Sequence, residues 1–434
     1  MSLSVAVDGA VAAVLVEKRS LAGGDGWDAR PVFADLVRHR DFCWLTAGRT
    51  VSFLGNGMAP IALAFAVLDL SGSAADLGLV VAARAVANVV LLLAGGVLAD
   101  RLPRALLLQG SSIAAGISQA LVAALVLTGT ASVPLLVGLS LVNGAASAIF
   151  VPASSALTPQ TVPAELLRAA NAASRMTRNF AMIVGGSVAG ALVAVVSPGW
   201  GIAVDAFTFL VAALCFRQVR VPEPAREPSH LLADLREGWT EFASRTWLWV
   251  IVAQFLFVNA INAGGLQVLG PAIADATFGR AGWGLALAAE TVGAVAGGFL
   301  AARWLPRRAL GYGVALVTLE AVPLLALAVA PGTVVMVVSL ALTGFTMEQA
   351  GIAWDLSLQE HVPPDRLARV YAYDAVGSFV AIPLGQLVAG PAAAAFGTST
   401  TLIAGAVITL VATFAALSSR SVRTIRTGGV DQLS

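Results

Sequence analysis

Charge is missing from this chain in blocks. Apolar stretches of about twenty residues recur roughly a dozen times, and almost every basic residue sits at alternate junctions between them. About 20 residues at a rise of 1.5 Å each carry a helix across a ~30 Å hydrocarbon layer. Inside such a layer only a helix or a closed barrel satisfies its own backbone hydrogen bonds. Barrel strands would alternate apolar and polar residues over ~10 positions, and these runs do not alternate. The pattern predicts an all-α membrane protein that crosses the bilayer many times.

The runs lie at about 42–67, 75–99, 105–128, 132–156, 176–197, 199–217, 247–271, 281–302, 309–330, 333–357, 371–394 and 398–418, which makes twelve transmembrane helices. Arginine placement orients them, because basic residues stay on the cytosolic side. Arg101 and Arg104 lie between the second and third runs, and Arg168, Arg175 and Arg178 between the fourth and fifth or at the start of the fifth. Arg217, Arg220, Arg226, Arg236 and Arg245 lie between the sixth and seventh. Arg303, Arg307 and Arg308 follow the eighth, Arg366 and Arg369 the tenth, and Arg420, Arg423 and Arg426 the twelfth. The opposite loops hold only Arg280. With Arg280 and the intramembrane Arg49 and Arg84 set aside, 23 basic residues share one face. The expectation is a multi-pass protein of the cytoplasmic membrane with both termini in the cytosol.

Composition narrows the function. Hydrophobic residues make up 58% and charged residues 12%, against about 25% charged in a soluble domain. A net charge of +1 offers nothing to a nucleic acid or an acidic partner. Lys18 is the only lysine, so the membrane part has neither a phosphate-loop lysine nor a Schiff-base lysine. No nucleophile–base pair or metal cluster is legible, so neither an enzyme nor a cofactor is expected. Cys43 and Cys215 read as buried small apolar residues, and His39, His230 and His361 fall in loops or tails. Val11 to Val16 is apolar but short, preceded by Asp8 and followed by Lys18 and Arg19. That order is wrong for a secretion signal, so residues 1–40 are expected to form a mostly disordered cytosolic tail.

The chain repeats itself at an offset of 200: Val162-Pro163 and Val362-Pro363, Glu165 and Asp365, and Gly185, Val188, Ala189 and Gly190 against Gly385, Val388, Ala389 and Gly390. Near an offset of 202–203, Gly95, Gly96, Leu98, Ala99 and Arg101 match Gly297, Gly298, Leu300, Ala301 and Arg303. Several matches in register, across two halves of equal orientation, indicate a parallel duplication. The expected organisation is a tail at 1–40, a six-helix half at 41–217, a cytosolic linker at 218–246, a second six-helix half at 247–418 and a cytosolic tail at 419–434. The linker opens with Pro222, Pro224 and Pro228, and Leu232, Leu235, Trp239 and Phe242 then fall on one helical face. That spacing predicts a surface-lying amphipathic helix. Two parallel halves imply a substrate path between them, opened to each side in turn. This is the plan of a secondary transporter.

Gly96-Val-Leu98-Ala-Asp100-Arg101-Leu-Pro103-Arg104 resembles the loop 2–3 signature of the major facilitator superfamily, with Pro103 where that pattern usually has glycine. The second copy, Gly298 to Arg308, has Ala302 in place of the acid and one extra residue. Leu45-Thr46-Ala47-Gly48-Arg49, Asn171 with Arg178-Asn179, Ala203-Val-Asp205-Ala-Phe207-Thr-Phe209, and Gln359-Glu360 before Val362-Pro363 resemble the drug:proton antiporter branch. That branch includes macrolide-efflux and enterobactin-export permeases. Its fifth-span Gly-Pro is Gly185-Gly186 here. The resemblance implies the twelve-helix facilitator fold. It also implies that Gly96, Asp100, Arg101 and Arg104 form a gating loop latching the outward-open state, the bland alternative being a topogenic loop.

Ionisable groups inside a bilayer cost about 2.5–3.5 kcal/mol each on insertion scales, so each demands a reason. Away from the span ends they are Arg49, Arg84, Asp205, Glu290, Glu320 and Glu348. Both arginines belong to the first half and the three glutamates to the second. Glu290 lies about nine residues into the eighth span and Glu348 on the tenth. A carboxyl removed from water holds its proton more firmly, as a proton carrier must; the alternative for both is a structural pair. Arg84 cannot deprotonate, so it pairs, binds an anionic substrate group or reaches water. Arg49, within two turns of the cytosolic end, can snorkel there. Glu320 and Asp205 are read as helix–helix partners. Gly185, Gly186, Gly190, Gly293, Gly297, Gly385 and Gly390 permit close helix approach. Phe53, Phe65, Trp283 and Phe345 are candidates for a hydrophobic pocket, with Trp283 read instead as an interfacial anchor.

The leading expectation is proton-driven export of a hydrophobic small molecule such as a drug, antibiotic, siderophore or other natural product. Its partners would be that substrate, protons and the lipid bilayer, with the chain acting as a monomer. The alternatives are an uptake symporter or facilitator, with Arg84 anchoring an anionic substrate, and a transport-silent permease-like subunit or sensor.

Overall fold

The computed structural model describes residues 32–221, 239–240, 242–304 and 306–426, without the side chains of 92–101 and of scattered further positions. The expected disordered segment before residue 32 and the linker residues Pro222, Pro224, Pro228, Leu232 and Leu235 lie outside the described residues. Helices account for nearly all of the rest. They are α1 (Arg40–Ser71), α2 (Ala74–Arg101), α3 (Arg104–Leu127), α4 (Val133–Thr161), α5 (Leu167–Val195) and α6 (Pro198–Phe216) in the first half. The second half has α7 (Thr246–Ala276), α8 (Arg280–Arg303), α9 (Ala309–Val329), α10 (Thr333–His361), α11 (Pro364–Phe379 with Ile382–Phe396) and α12 (Thr398–Ser418). Among the described residues, eleven helices are long and apolar enough to cross a membrane, and α5 is not among those eleven.

Three local differences from the sequence reading have physical causes. A helix covers Val32–Arg38 inside the expected tail, where Leu36 buries against Phe42 and Ala170. Helix α5 starts nine residues before the apolar run, because its basic first turns interrupt hydropathy and leave the backbone bonding intact. Helix α11 breaks at Val380–Ala381, next to Pro383, whose missing N–H removes one backbone donor.

The closest helix crossings come in pairs, one in each half. A side-chain carbon at Gly185 of α5 would strike the Leu54 carbonyl of α1, and one at Gly385 of α11 would strike the Ala260 carbonyl of α7. Gly144 of α4 lies on the Arg84 carbonyl of α2, and Gly344 of α10 on the Glu290 carbonyl of α8. Each of these glycines is required, since the neighbour is backbone and cannot give way. The pairs recur at an offset of 200 on α4 and α5 but 206 on α1 and α2. Helix α8 has 24 residues against 28 in α2. The offset therefore falls to 202 at the arginine-rich end, where the sequence match was visible.

Helix α1 carries Pro60 in its interior, and α7 is underwound into a π-segment over Ala263–Leu269, centred 206 residues later. A proline and a π-segment both break regular i to i−4 bonding. The first helix of each half thus loses regularity at the same depth. Between the halves, α5 packs on α8 and α2 on α11. Gly190 meets the Gly284 backbone, Gly390 meets Ala75, and Gly78 meets the Gln386 carbonyl. All three crossings lie toward the arginine-poor end, so the halves close together there.

Candidate functional site

At that closed end Arg280 opens α8 between two aspartates. Its Nη1 donates to Asp69 Oδ2 at 3.0 Å and its Nε to Asp275 Oδ1 at 2.7 Å, with a further short Nη2 contact to Asp69. Asp69 ends α1 and Asp275 ends α7, at the 206-residue offset. The guanidinium also stands 4.8 Å from the Phe65 ring centre. The one basic residue on the arginine-poor face is therefore the clasp between α1 and the α7–α8 corner. The sequence reading singled out none of this clasp as a site; the recurrence of Asp69 at Asp275 was the available signal.

Arg84 and Glu290 occupy equivalent places. Each lies ten residues into its helix, on the crossing with a glycine of the fourth or tenth helix. Ten residues at 1.5 Å is about 15 Å, half of a ~30 Å layer. Neither side chain has a hydrogen bond or ion pair with another described residue. Arg84 is within electrostatic reach of Asp205, and Glu290 of Glu320.

The Arg84 side faces a cavity of ≈ 30 Å³ inside the first half. Ser52 and Asn56 of α1, Ser111 and Ser112 of α3, Asn143 and Ser147 of α4, and Phe150 and Phe209 line it. Behind it Asp205, 0% exposed, accepts a hydrogen bond from Gln119 Nε2 at 2.6 Å. In the second half Glu320, also 0% exposed, accepts from Asn262 Nδ2 at 3.1 Å and Thr346 Oγ1 at 3.0 Å. Asp205 and Glu320 thus sit between helices, where pairing was expected. Glu348 is half-buried beside Gly298, within electrostatic reach of the exposed Arg178 of α5. That interaction spans the two halves, and Arg178 was not among the sequence-selected site residues.

Arg49 does not snorkel. It is 8% exposed and tied to α4, with Nε donating to Ser154 Oγ at 2.8 Å and Nη1 to Thr158 Oγ1 at 2.9 Å. Trp283 is not an interfacial anchor either: it is 2% exposed, with its ring against Gly270. Phe65 lies under Arg280, and Phe345 is half-buried with its carbonyl on Gly297. Gly293 meets the Ala341 carbonyl, and Gly186 lies beneath Gly284. Gly96, Asp100 and Arg101 belong to the last turns of α2, with side chains outside the description, and Arg104 opens α3. Of the linker's apolar face, Trp239 and Phe242 are described: Phe242 is buried, and their rings stack 5.9 Å apart beside Tyr373 of α11. Cys43 and Cys215 are free thiols, Cys43 half-buried and Cys215 buried. No group of metal-ligating side chains occurs among the described residues.

Residues 45–385 match the Major Facilitator Superfamily. A Bacillus subtilis (strain 168) protein described as the uncharacterized MFS-type transporter YkuC is 24% identical over 248 residues, 54% of this chain and 57% of that protein. The chain therefore spans just over half the length of that curated relative. Among solved structures, a bacterial homologue of the human lysosomal transporter Spinster, inward-facing and unoccupied, superposes with a TM-score of 0.70 at 15% identity, covering 92% of this chain and 98% of that one. The nucleoside transporter NupG gives 0.69 at 14% identity over 87% and 98%, and a D-xylose–proton symporter 0.66 at 15% over 86% and 96%. The chain is a multi-pass membrane protein with the facilitator fold. It belongs to the Major Facilitator Superfamily.

Proposed function

We propose that the chain exports a hydrophobic small molecule in exchange for protons, with Glu290 as the proton carrier. The observation carrying this reading is a mid-membrane carboxyl with no described side-chain partner. Such a group can be neutralised only by a proton or a bound cation, and a change in its charge can bias one conformation over the other. Glu348, facing Arg178 across the halves, is the second candidate. With the arginine-rich face in the cytosol of the cytoplasmic membrane, closure at the other end excludes an outward-open conformation and fits a chain that loads from the cytosol, as an exporter does. The twelve helices act as a monomer, with halves at 41–217 and 247–418, the linker resting on the membrane surface, and the loop of Gly96, Asp100, Arg101 and Arg104 latching the opposite state.

The test is accumulation of lipophilic fluorescent compounds in efflux-deficient bacteria, with a protonophore control. Lower accumulation with the wild type, lost with Glu290→Gln and with the protonophore, is the expected result. Export that survives Glu290→Gln moves the carrier to Glu348. Raised accumulation supports uptake, a reading the partnerless Arg84 favours as an anchor for an anionic substrate. No change for any compound fits a transport-silent subunit.

A further inference from the structure

The cavity under Arg84 is built for negative charge. Arg84 supplies five N–H donors with no described partner. Asn143 of α4 and Ser112 of α3 line the same cavity, and Asn143 Nδ2 and Ser112 Oγ are both buried and both without a hydrogen bond. Asn143 is 4% exposed and Ser112 1%, so bulk water does not serve them. Unsatisfied buried donors cost about 1–3 kcal/mol each and call for a partner. Asn56 Nδ2 is within 3.5 Å of Ser52 Oγ, and Ser111 Oγ donates to the Leu108 carbonyl at 3.2 Å. The opposing charge is Asp205, which does not line the cavity; its Oδ2 is held by Gln119 and its Oδ1 has no partner.

We infer that this cavity binds one small monovalent anion, either free or as the carboxylate of a larger molecule. At ≈ 30 Å³ the space holds about two waters, by the ~10–15 Å³ each requires. A halide or a single carboxylate fits there, and the body of a drug-sized molecule does not. Phe150 and Phe209 provide an apolar wall beside the charge. The second half has Glu290 at the equivalent position, so a positive group in one half corresponds to a negative one in the other. The inference depends neither on the direction of transport nor on Glu290.

The test is direct binding of radiolabelled chloride, acetate and octanoate to the purified full chain in lipid nanodiscs, at constant ionic strength set with divalent sulfate. Thermal unfolding followed by tryptophan fluorescence runs alongside. Saturable binding of chloride or acetate is expected if the anion is free, and of octanoate alone if the site takes a head group. Arg84→Gln should weaken binding about tenfold or more, as loss of a charge-assisted bond implies, and Asp205→Asn should tighten it. Should Arg84→Gln fail to fold, Asn143→Ala and Ser112→Ala take its place, with several-fold weaker binding expected. The absence of saturable binding for all three anions would overturn the inference. So would destabilisation by Arg84→Gln and Asp205→Asn singly that the double substitution restores, since that marks a water-bridged ion pair.

Discussion

The two halves fasten the same helices with different chemistry. In the first, Arg49 of α1 hydrogen-bonds Ser154 and Thr158 of α4. The equivalent residues of the second half are Phe255, Trp354 and Leu358, which pack together as an apolar cluster. Asp205 of α6 meets Gly55 of α1, whereas Gly405 of α12 meets Ile261 of α7. At mid-membrane the substitution reaches full charge inversion, Arg84 against Glu290. The glycine crossings hardly differ. Helix spacing is thus set by small residues and backbone contact, and the side chains between have been free to diverge.

The sharpest way to break the comparison is at the charge inversion. Glu290→Gln leaves a group of the same shape that cannot take up a proton, and proton-driven transport should fall at least about tenfold. The same membranes should contain folded protein, checked by gel filtration, so that loss of transport is loss of coupling.

The fastenings come next. Arg49→Ala empties a buried site and strands the Ser154 and Thr158 hydroxyls, costing about 2–4 kcal/mol. Phe255→Ala in the other half removes a half-buried ring and should cost about 1–3 kcal/mol by lost packing. Both are read as lowered unfolding midpoints, and a small loss at one site only would show that the two fastenings are not equivalent.

The shared scaffold gives a smaller and paired effect. Gly144→Ala and Gly344→Ala each push a methyl into a backbone carbonyl, so each should destabilise by about 1–3 kcal/mol. A unilateral effect would separate the two crossings.

The smallest expected effect is at the closed end. Arg280 is 22% exposed and its two aspartates 45% and 36%, so the clasp is screened. Asp69→Asn should shift the open and closed populations by about 1.4- to fivefold, the worth of ~0.2–1 kcal/mol. Asp275→Asn, within one half, should shift them less. Spin labels at Ser71→Cys and Thr277→Cys, in a chain lacking Cys43 and Cys215, report the distance change.

Most of the helix positions were legible because hydrocarbon imposes one rule everywhere, and about twenty apolar residues in a row satisfy it. The duplication was legible only where insertions had not shifted it. The 200-residue offset of α4 and α5 stood out. The 206-residue offset of α1 and α2 was hidden by the shorter α8, and with it the equivalence of Arg84 with Glu290 and of Asp69 with Asp275. Trp283 misled because tryptophan suits a membrane interface in general, while here Gly270 opens a slot for its ring.

The sequence by itself determined that this chain crosses a membrane many times, which face is basic and which charges need a reason to be there. Those properties follow from local composition, since the cost of placing a residue in hydrocarbon depends on that residue. Tertiary structure alone decided the facing of each charge: Arg49 into a fastening, Arg84 over a polar cavity, Glu290 without a partner, Arg280 into a clasp. Facing depends on the rotation and crossing of helices far apart in sequence. Those are set by backbone contacts at a few glycines, which hydropathy does not register.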